Sequence, residues 1–247
     1  MNKFNLILCF VTSMVILGLT SCSDEVETID AANFGYEFYP LATGKTWIYA
    51  SDSIIIYNGG SRKDTVHSLI KEEVGDSFSD INGDTLYNLH RYFKRNETDE
   101  WQRINTWTTS KDKNRVVRTE ENIRFIKMVF PVKSGLRFDA NAFVDEDQKV
   151  QVAGELIEPY DNWNPRMEAT DLEWQYKDAK VKSLFINLVD DSSIIDRRKV
   201  HEFYGHGIGL LKKEMIVLDL DGNRPNDPWQ TKAQKGFIHT LTLIDHN

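Results

Sequence analysis

Cysteine is almost absent from this chain. Only Cys9 and Cys22 occur among the 247 residues, and the sequence beyond residue 22 has none. That part of the chain can therefore form no disulfide and no zinc–thiolate site, and it has no cysteine nucleophile or thiol redox motif. A chain of this length can still bury a sizeable core without such cross-links.

The chain also lacks an excess of basic residues. It contains 30 Lys and Arg against 38 Asp and Glu, which gives a formal net charge of -8. Nucleic-acid phosphates and anionic lipid headgroups both attract a basic face. We therefore expect no nucleic-acid partner and no electrostatic attraction to anionic lipid.

Long hydrophobic runs are absent apart from one near the N-terminus. Residues 6–19 are apolar except for Thr12 and Ser13, and they follow the cationic start Met1-Asn2-Lys3. This run is shorter than the ~20 residues that a membrane-spanning helix needs, but it fits the apolar region of an export signal. The pattern predicts that residues 1–21 are a signal peptide.

The apolar run ends in Leu19-Thr20-Ser21-Cys22, which resembles the bacterial lipobox. The resemblance implies that Cys22 is diacylated on its sulfur, that the chain is cut before it, and that the new amine is acylated. Several acyl chains anchor a protein firmly, whereas one holds it only marginally. We expect the membrane to be a partner through the lipidated Cys22.

Residues 22–33 are predicted to form a lipidated acidic tether. Position 23 is serine, so the aspartate that retains some lipoproteins in the inner membrane is missing there. The acidic run that follows resembles the surface-export signals of some Gram-negative lipoproteins. We expect outer-membrane residence, with the domain facing either the periplasm or the outside.

Amphipathic helix periodicity is rare in the rest of the chain, and β patterns dominate it. Residues 34–247 are predicted to form a single all-β domain of about ten or eleven short strands. Without crossover helices these strands form an antiparallel sheet. We expect a strongly curved sheet that closes as a barrel, half-barrel or sandwich, because an open sheet leaves its edges exposed.

Three local patterns give sharper structural predictions. Trp47 and Tyr49 lie on one face of a strand and should point into the core. Asn82-Gly83 predicts a hairpin with a type I′ turn. Residues 123–132 carry large apolar side chains on both faces, which indicates burial on both sides. One further strand is expected within residues 150–157.

Two stretches resemble small uncharacterised all-β lipoproteins of Gram-negative bacteria. Residues 38–49 are similar to a Y-x-P-L-x-x-G-x-x-W-x-Y opening, although here Tyr39 directly precedes the proline. Residues 207–214 are similar to a closing hairpin of the form G-x-G-L-x-x-x-E. The resemblance implies an envelope location and an antiparallel β fold, and it implies no activity.

No motif assigns a catalytic, metal or cofactor site. His201 and His206 are five residues apart, whereas the zincin helix needs its histidines four apart. The segment instead indicates an exposed strand end that runs into a glycine-rich turn. In an EF-hand loop that starts at Asp219, Arg224 would stand where glycine is needed and Gln230 where the bidentate glutamate is needed. Another kind of calcium site stays open. We therefore expect no cofactor.

The function that we expect is non-enzymatic binding by a membrane-anchored envelope domain. A curved sheet with an apolar concave face could hold an amphiphilic small molecule. One alternative is a structural or interaction subunit that binds another envelope protein through an exposed apolar patch. Another is an envelope glycan hydrolase with clustered acids of perturbed pKa.

Overall fold

The computed structural model of the protein describes residues 34–247. The predicted signal peptide (1–21), the lipidation site Cys22 and the predicted tether (22–33) lie outside the described residues. None of the helices within 34–247 is long and apolar enough to cross a membrane.

The described residues form thirteen strands, which we number β1 to β13, and one short helix, α1. They are β1 Thr46–Tyr57, β2 Arg62–Ser79, β3 Thr85–Lys94, β4 Gln102–Lys111, β5 Arg115–Glu120, β6 Ile123–Val129, β7 Val150–Val152, β8 Glu155–Ile157, β9 Arg166–Tyr176, β10 Ala179–Ser192, β11 Asp196–Gly205, β12 Gly209–Leu220, α1 Trp229–Lys232 and β13 Ala233–His246.

Eleven of the strands form one antiparallel sheet in the order β6-β5-β4-β3-β2-β1-β13-β12-β11-β10-β9. Each strand pairs with its sequence neighbour, except that β1 also pairs with the final strand, β13. This pairing joins two meanders into a single sheet, which curls into a half-barrel. The prediction of an all-β, antiparallel and strongly curved sheet is confirmed.

The degree of curling is evident from one contact across the interior. Lys127 on β6 and Glu202 on β11 are eight strands apart in the sheet, yet Lys127 Nζ lies 2.6 Å from Glu202 Oε1. In a flat sheet, strands so far apart would be separated by roughly 38 Å, because neighbours are 4.7–4.9 Å apart. The side chains that meet in this way therefore point into the concave face.

An irregular segment, residues 130–165, bridges the gap between the two edges of the sheet. Ile126 N on β6 donates to Ala140 O, and Met167 N on β9 donates to Leu136 O. Sheet edges carry unpaired peptide groups, so a covering segment prevents them from pairing with other chains. The two edge strands of the half-barrel, β6 and β9, do not pair with each other. The segment 130–165 covers the gap between them.

The bridging segment contains the second, two-stranded sheet. One strand was expected within 150–157, and the structure instead has a hairpin of β7 and β8. Ala153 and Gly154 turn the chain with φ values of 50° and 87°. Two successive residues with positive φ are what a tight two-residue hairpin turn requires.

The β2–β3 hairpin at Asn82-Gly83 is confirmed, but its turn type differs from the prediction. In this turn only Gly83 has positive φ, at 85°. Gly83 N donates to Asp80 O, and Asp80 Oδ1 accepts hydrogen bonds from Asn82 N and Asp84 N. The turn is therefore a type I turn followed by a left-handed glycine, a common three-residue hairpin loop.

The N-terminal part of the domain crosses one end of the half-barrel. A 3-10 helix, Tyr36–Phe38, buries Phe38, and Tyr39 is also buried. Glu37 O accepts from Gly207 N beyond β11, while Tyr39 O accepts from Lys111 Nζ on β4. This crossing therefore ties together two strands from opposite halves of the sheet.

The predicted core positions are confirmed. Trp47 and Tyr49 are buried in one cluster of apolar side chains. On β6, four successive residues from Phe125 to Met128 are buried, so both faces of this strand are covered as predicted. One of the four is Lys127, and its burial identifies the polar part of the interior.

A substitution at Gly236 on β13 tests how closely β13 packs against the neighbouring strand β12. Its φ is 120°, and a Cβ there would lie 2.0 Å from Val217 O. We expect Gly236→Ala to lower the free energy of unfolding by at least 1–3 kcal/mol, because it adds a backbone clash to the strain of a positive φ. Gly83→Ala is the matched control, since its φ is 85° and nothing lies within 4 Å of its Cβ. Equal denaturant midpoints for the two variants would contradict this account.

Candidate functional site

The interior of the half-barrel contains a cavity of about 190 Å³, which we call the charged cavity. Its wall includes three carboxylates, four basic side chains, one histidine and one tyrosine. These are Glu72, Glu120, Glu202, Arg91, Arg118, Lys127, Lys213, His239 and Tyr204. Trp107, Leu210, Met215 and Leu241 complete the wall, so the concave face at this cavity combines charged and apolar groups.

Glu72 on β2 is the first centre of the ionic network. Its side chain is buried, and its Oε1 accepts from Arg91 Nε at 3.1 Å and from an Arg118 terminal nitrogen at 2.5 Å. Both guanidinium groups also lie over the ring of Trp107, at 3.7 and 4.7 Å from its centre. Such stacking stabilises a cation that is partly removed from water.

Glu202 on β11 is the second centre. It is 1% exposed and accepts from Lys127 Nζ at 2.6 Å and from the Tyr204 hydroxyl at 2.6 Å. Glu120 connects the two centres, since its Oε1 lies 3.2 Å from Arg118 Nε and 3.9 Å from Lys127 Nζ. The network therefore runs continuously from β2 across β5 and β6 to β11.

Strand alternation explains why these groups point inward. Glu72 lies between the buried Ile70 and Val74, two residues from each, so all three share one face of β2. Glu202 has the same relation to Val200 and Tyr204 on β11. Each is a charged residue at a position where the alternation predicts an apolar one. This departure from the pattern is the signal in the sequence that marks the site, and the predictions from the sequence did not use it.

The electrostatic environment favours the ionised forms of Glu120 and Glu202. Burial acts to raise the pKa of Glu120, but Arg118 and Lys127 outweigh it and lower the pKa to about 2. The pKa of Glu202 is also lowered, because Lys127 and Lys213 outweigh its burial. Conversely, Glu202 and Glu120 outweigh burial at Lys127 and raise its pKa. These shifts favour charged pairs, as expected for close opposite charges.

Lys213 on β12 is the least satisfied member of the network. Glu202 is the only carboxylate of the described residues within 4.0 Å of its Nζ, at 3.5 Å, and Glu202 already binds Lys127 more closely. Burial and repulsion from Lys127 lower the pKa of Lys213. Its ammonium group is therefore the one in the cavity with the weakest compensation.

His239 on β13 lines the same cavity. One ring nitrogen lies 3.1 Å from Ser51 Oγ. Burial, followed by repulsion from Lys213 and Arg91, lowers the pKa of His239 to about 4, against a smaller opposing effect of Asp52. The ring is therefore neutral at pH 7 and adds no charge to the cavity.

The His201–His206 segment forms no metal site in the structure. His201 packs edge-on against Phe185, with ring centres 5.0 Å apart, on the face of β11 opposite to Glu202. His206 lies in the following turn, 4.0 Å from Glu37. The segment was interpreted as an exposed strand end, and that is wrong for Glu202 and Tyr204, which are both 1% exposed.

The 219–227 segment forms a polar connection between β12 and α1. Asp219 pairs with Arg198 and with Lys235. Asp227 pairs with Arg224 at the other end of the segment. Within residues 34–247, no group of three or more His, Cys, Asp or Glu is arranged to hold a metal ion.

No protein-family model and no curated protein matches this chain. Among solved structures it is similar to one described as a putative lipoprotein from Parabacteroides distasonis ATCC 8503, at 9% identity and TM-score 0.34, over 87% of this chain and 99% of the other. Another is described as a putative exported protein with a YmcC-like fold from Bacteroides fragilis NCTC 9343, at 10% identity and TM-score 0.35. That match covers 85% of this chain and 98% of the other. These values are too low to transfer any property to this chain.

The carboxylates of the cavity can be compared with the catalytic pair of a glycosidase. A glycosidase needs one carboxyl group with a raised pKa that can act as a general acid. The pKa values of Glu120 and Glu202 are instead both lowered. Glu72 is occupied by two arginines. The network can hold a ligand by charge and hydrogen bonds, and the lowered pKa values of Glu120 and Glu202 disfavour both as general acids.

The ionic network can be tested through Glu202. We expect Glu202→Gln to lower the free energy of unfolding by about 3–5 kcal/mol, because it leaves Lys127 and Lys213 buried without their carboxylate. Glu173→Gln is the matched control, since Glu173 pairs with Lys180 on the surface with both side chains more than 60% exposed. Chemical denaturation measures both, and a Glu202→Gln effect no larger than that of the control would contradict the assignment.

The stability of the domain should depend on pH through His239 and Glu120. Because the pKa of His239 is lowered in the folded state, the unfolded state takes up a proton at a higher pH than the folded state does. Stability therefore falls as the pH drops from 6.5 to about 4. Glu120 adds a further loss as the pH drops from 4.5 to about 2. We expect the histidine contribution to be on the order of 2–3 kcal/mol at pH 4.

Thermal unfolding at stepped pH checks this dependence. His239→Gln should flatten the stability curve between pH 6.5 and 4.5 and leave the steep loss below pH 4.5. The matched surface variant is His67→Gln, whose histidine side chain is 74% exposed. An unaltered slope in His239→Gln would show that this histidine does not titrate as described.

Proposed function

We propose that this protein is an envelope lipoprotein, anchored to the outer membrane by acylated Cys22, whose half-barrel binds a small ligand in the charged cavity. The binding is non-enzymatic. The observation that carries the binding role is a cavity of about 190 Å³ enclosed by the concave face of the sheet and lined by a pre-formed ionic network.

The anchoring part of the proposal is supported by the sequence. A short cationic start, an apolar run and Leu19-Thr20-Ser21-Cys22 follow one another in the order of a lipoprotein signal. Serine at position 23 favours the outer membrane. The resemblance to small all-β lipoproteins of Gram-negative bacteria agrees with this location, and we leave open whether the domain faces the periplasm or the outside.

The binding part is supported by the rigidity of the cavity wall. The polar groups of the cavity are held by each other and by strands from both halves of the sheet. Ligand sites typically combine apolar surface with a few polar groups fixed in advance. Here Trp107, Leu210, Met215 and Leu241 supply the apolar surface.

The interaction-subunit alternative requires a contiguous exposed apolar patch. The exposed large apolar side chains of the described residues are distributed over different strands and turns, from Ile54 on β1 to Ile244 on β13. The cavity is the more specific feature, and it favours a small ligand over an envelope protein as the partner.

Acylation is tested by metabolic labelling. We expect the wild-type chain to incorporate labelled palmitate and to sediment with outer membranes, and Cys22→Ala to incorporate none. Cys9→Ala is the matched control and should be labelled normally, because Cys9 lies in the predicted signal peptide. Labelling of Cys22→Ala, or none of the wild type, would refute the anchor.

Ligand binding is tested by native mass spectrometry of the full-length lipoprotein extracted from its own membranes. We expect an additional mass of small-molecule size that is released on denaturation. A protein that carries no such mass, and whose melting temperature no cell-extract metabolite fraction raises, would contradict the binding role.

A further inference from the structure

We propose that the charged cavity binds a small organic monocarboxylate, with its carboxylate beside Lys213 and its flat apolar body against Phe125, Tyr160 and Trp163. The inference rests on the proposed function, because it names the class of ligand for the same cavity. It is carried by the charge balance of the wall, the position of Lys213 and a second cavity that adjoins the first.

By formal charge, the wall of the charged cavity has one more positive than negative group. Its cations outnumber its carboxylates by four to three: Arg91, Arg118, Lys127 and Lys213 against Glu72, Glu120 and Glu202. An uncompensated buried charge is unfavourable, and a bound counter-charge removes that cost. A monoanion neutralises the excess, whereas a dianion such as hydrogen phosphate would reverse it. The balance therefore favours a ligand with a single negative charge.

Lys213 is the group that remains available to such an anion. The two arginines are engaged by Glu72, and Lys127 donates to Glu202 at 2.6 Å. Lys213 Nζ has only a 3.5 Å approach to Glu202, and 13% of its side chain is exposed. A ligand carboxylate at this position would accept a charge-assisted hydrogen bond without displacing an existing one.

A second cavity, of about 130 Å³, continues from Lys213. It shares Glu120, Lys127, Lys213 and Met215 with the charged cavity. Its other wall is aromatic.

Three rings form that aromatic wall. The ring centre of Phe125 lies 5.3 Å from that of Tyr160 and 5.9 Å from that of Trp163, and Tyr160 and Trp163 meet edge to face at 5.7 Å. Such a wall favours a flat apolar group through offset or edge contacts. A ligand with its carboxylate at Lys213 can therefore place a ring against these side chains.

The test uses the full-length lipoprotein in detergent and three defined probes in isothermal titration calorimetry. Benzoate has a carboxylate on a flat ring, benzamide has the same ring without the charge, and inorganic phosphate has charge without the ring. We expect benzoate to bind, and benzamide and phosphate to bind at least about tenfold more weakly, as loss of a charge-assisted contact or of the apolar body predicts.

Variants of Lys213 locate the carboxylate. Lys213→Met should weaken benzoate binding by about tenfold or more, and Lys213→Arg should retain it, since arginine keeps the charge. Lys180→Met, which alters a surface lysine, should bind as the wild type does. We expect Lys213→Met to stay folded because it removes the excess cation; if it does not fold, Lys213→Arg and the three-probe comparison in the wild type decide the matter.

Several results would overturn the inference. These are equal binding of benzoate and benzamide, equal binding of benzoate and phosphate, or full benzoate affinity in Lys213→Met. No probe binding by the wild type, together with a co-purified neutral or cationic molecule in native mass spectrometry, would overturn the carboxylate assignment and leave the binding role intact. No probe binding and no co-purified molecule would overturn both.

Discussion

The contact between Lys127 and Glu202 is the interaction on which the rest of the interior depends. It joins two strands that are eight positions apart in one sheet, so it exists only because that sheet curls. The concave face becomes an enclosed space, and charged side chains that would be solvated on a flat sheet come together out of water. Their mutual compensation then becomes a condition for folding, because an isolated buried charge is very costly.

This arrangement explains why the cavity is polar in a domain whose strands alternate in the ordinary way. The apolar side chains of the described residues form three clusters, around Met128 and Leu184, around Tyr49 and Leu89, and around Ile56 and Leu218. The charged layer lies between elements of both halves of the sheet. A network held by so many strands is pre-organised, and pre-organisation lowers the entropic cost of binding a ligand. The same rigidity leaves Lys213 with little freedom to find a better partner.

Much of the fold could be predicted from the sequence. Alternating apolar residues and turn residues indicated most of the strands of the main sheet, because the two-residue period of a strand is a local property. The errors occurred where the pattern was short or irregular. Within 150–157 one strand was expected, and the structure has the β7–β8 hairpin. At Asn82-Gly83 the side chain of Asp80 selects the turn type, a hydrogen-bonding choice that the dipeptide alone does not encode.

The candidate site was not predicted, and the reason is its sequence separation. Glu72, Lys127 and Glu202 are each ordinary charged residues in their own strands, and no spacing rule connects them. Charged residues on strands are normally solvated, so the residue types alone do not indicate that these three meet in the interior. Only the closure of the sheet places them within hydrogen-bonding distance.

The sequence by itself determined the class of fold and carried the prediction of a lipid anchor at Cys22, since both depend on residues close together in the chain. The tertiary structure decided that the sheet closes as a half-barrel, that its concave face is charged, and that Lys213 is the poorly compensated cation. The physical reason is that hydrophobic periodicity acts over a few residues, whereas charge balance in a buried cavity depends on groups that meet only after the chain has folded.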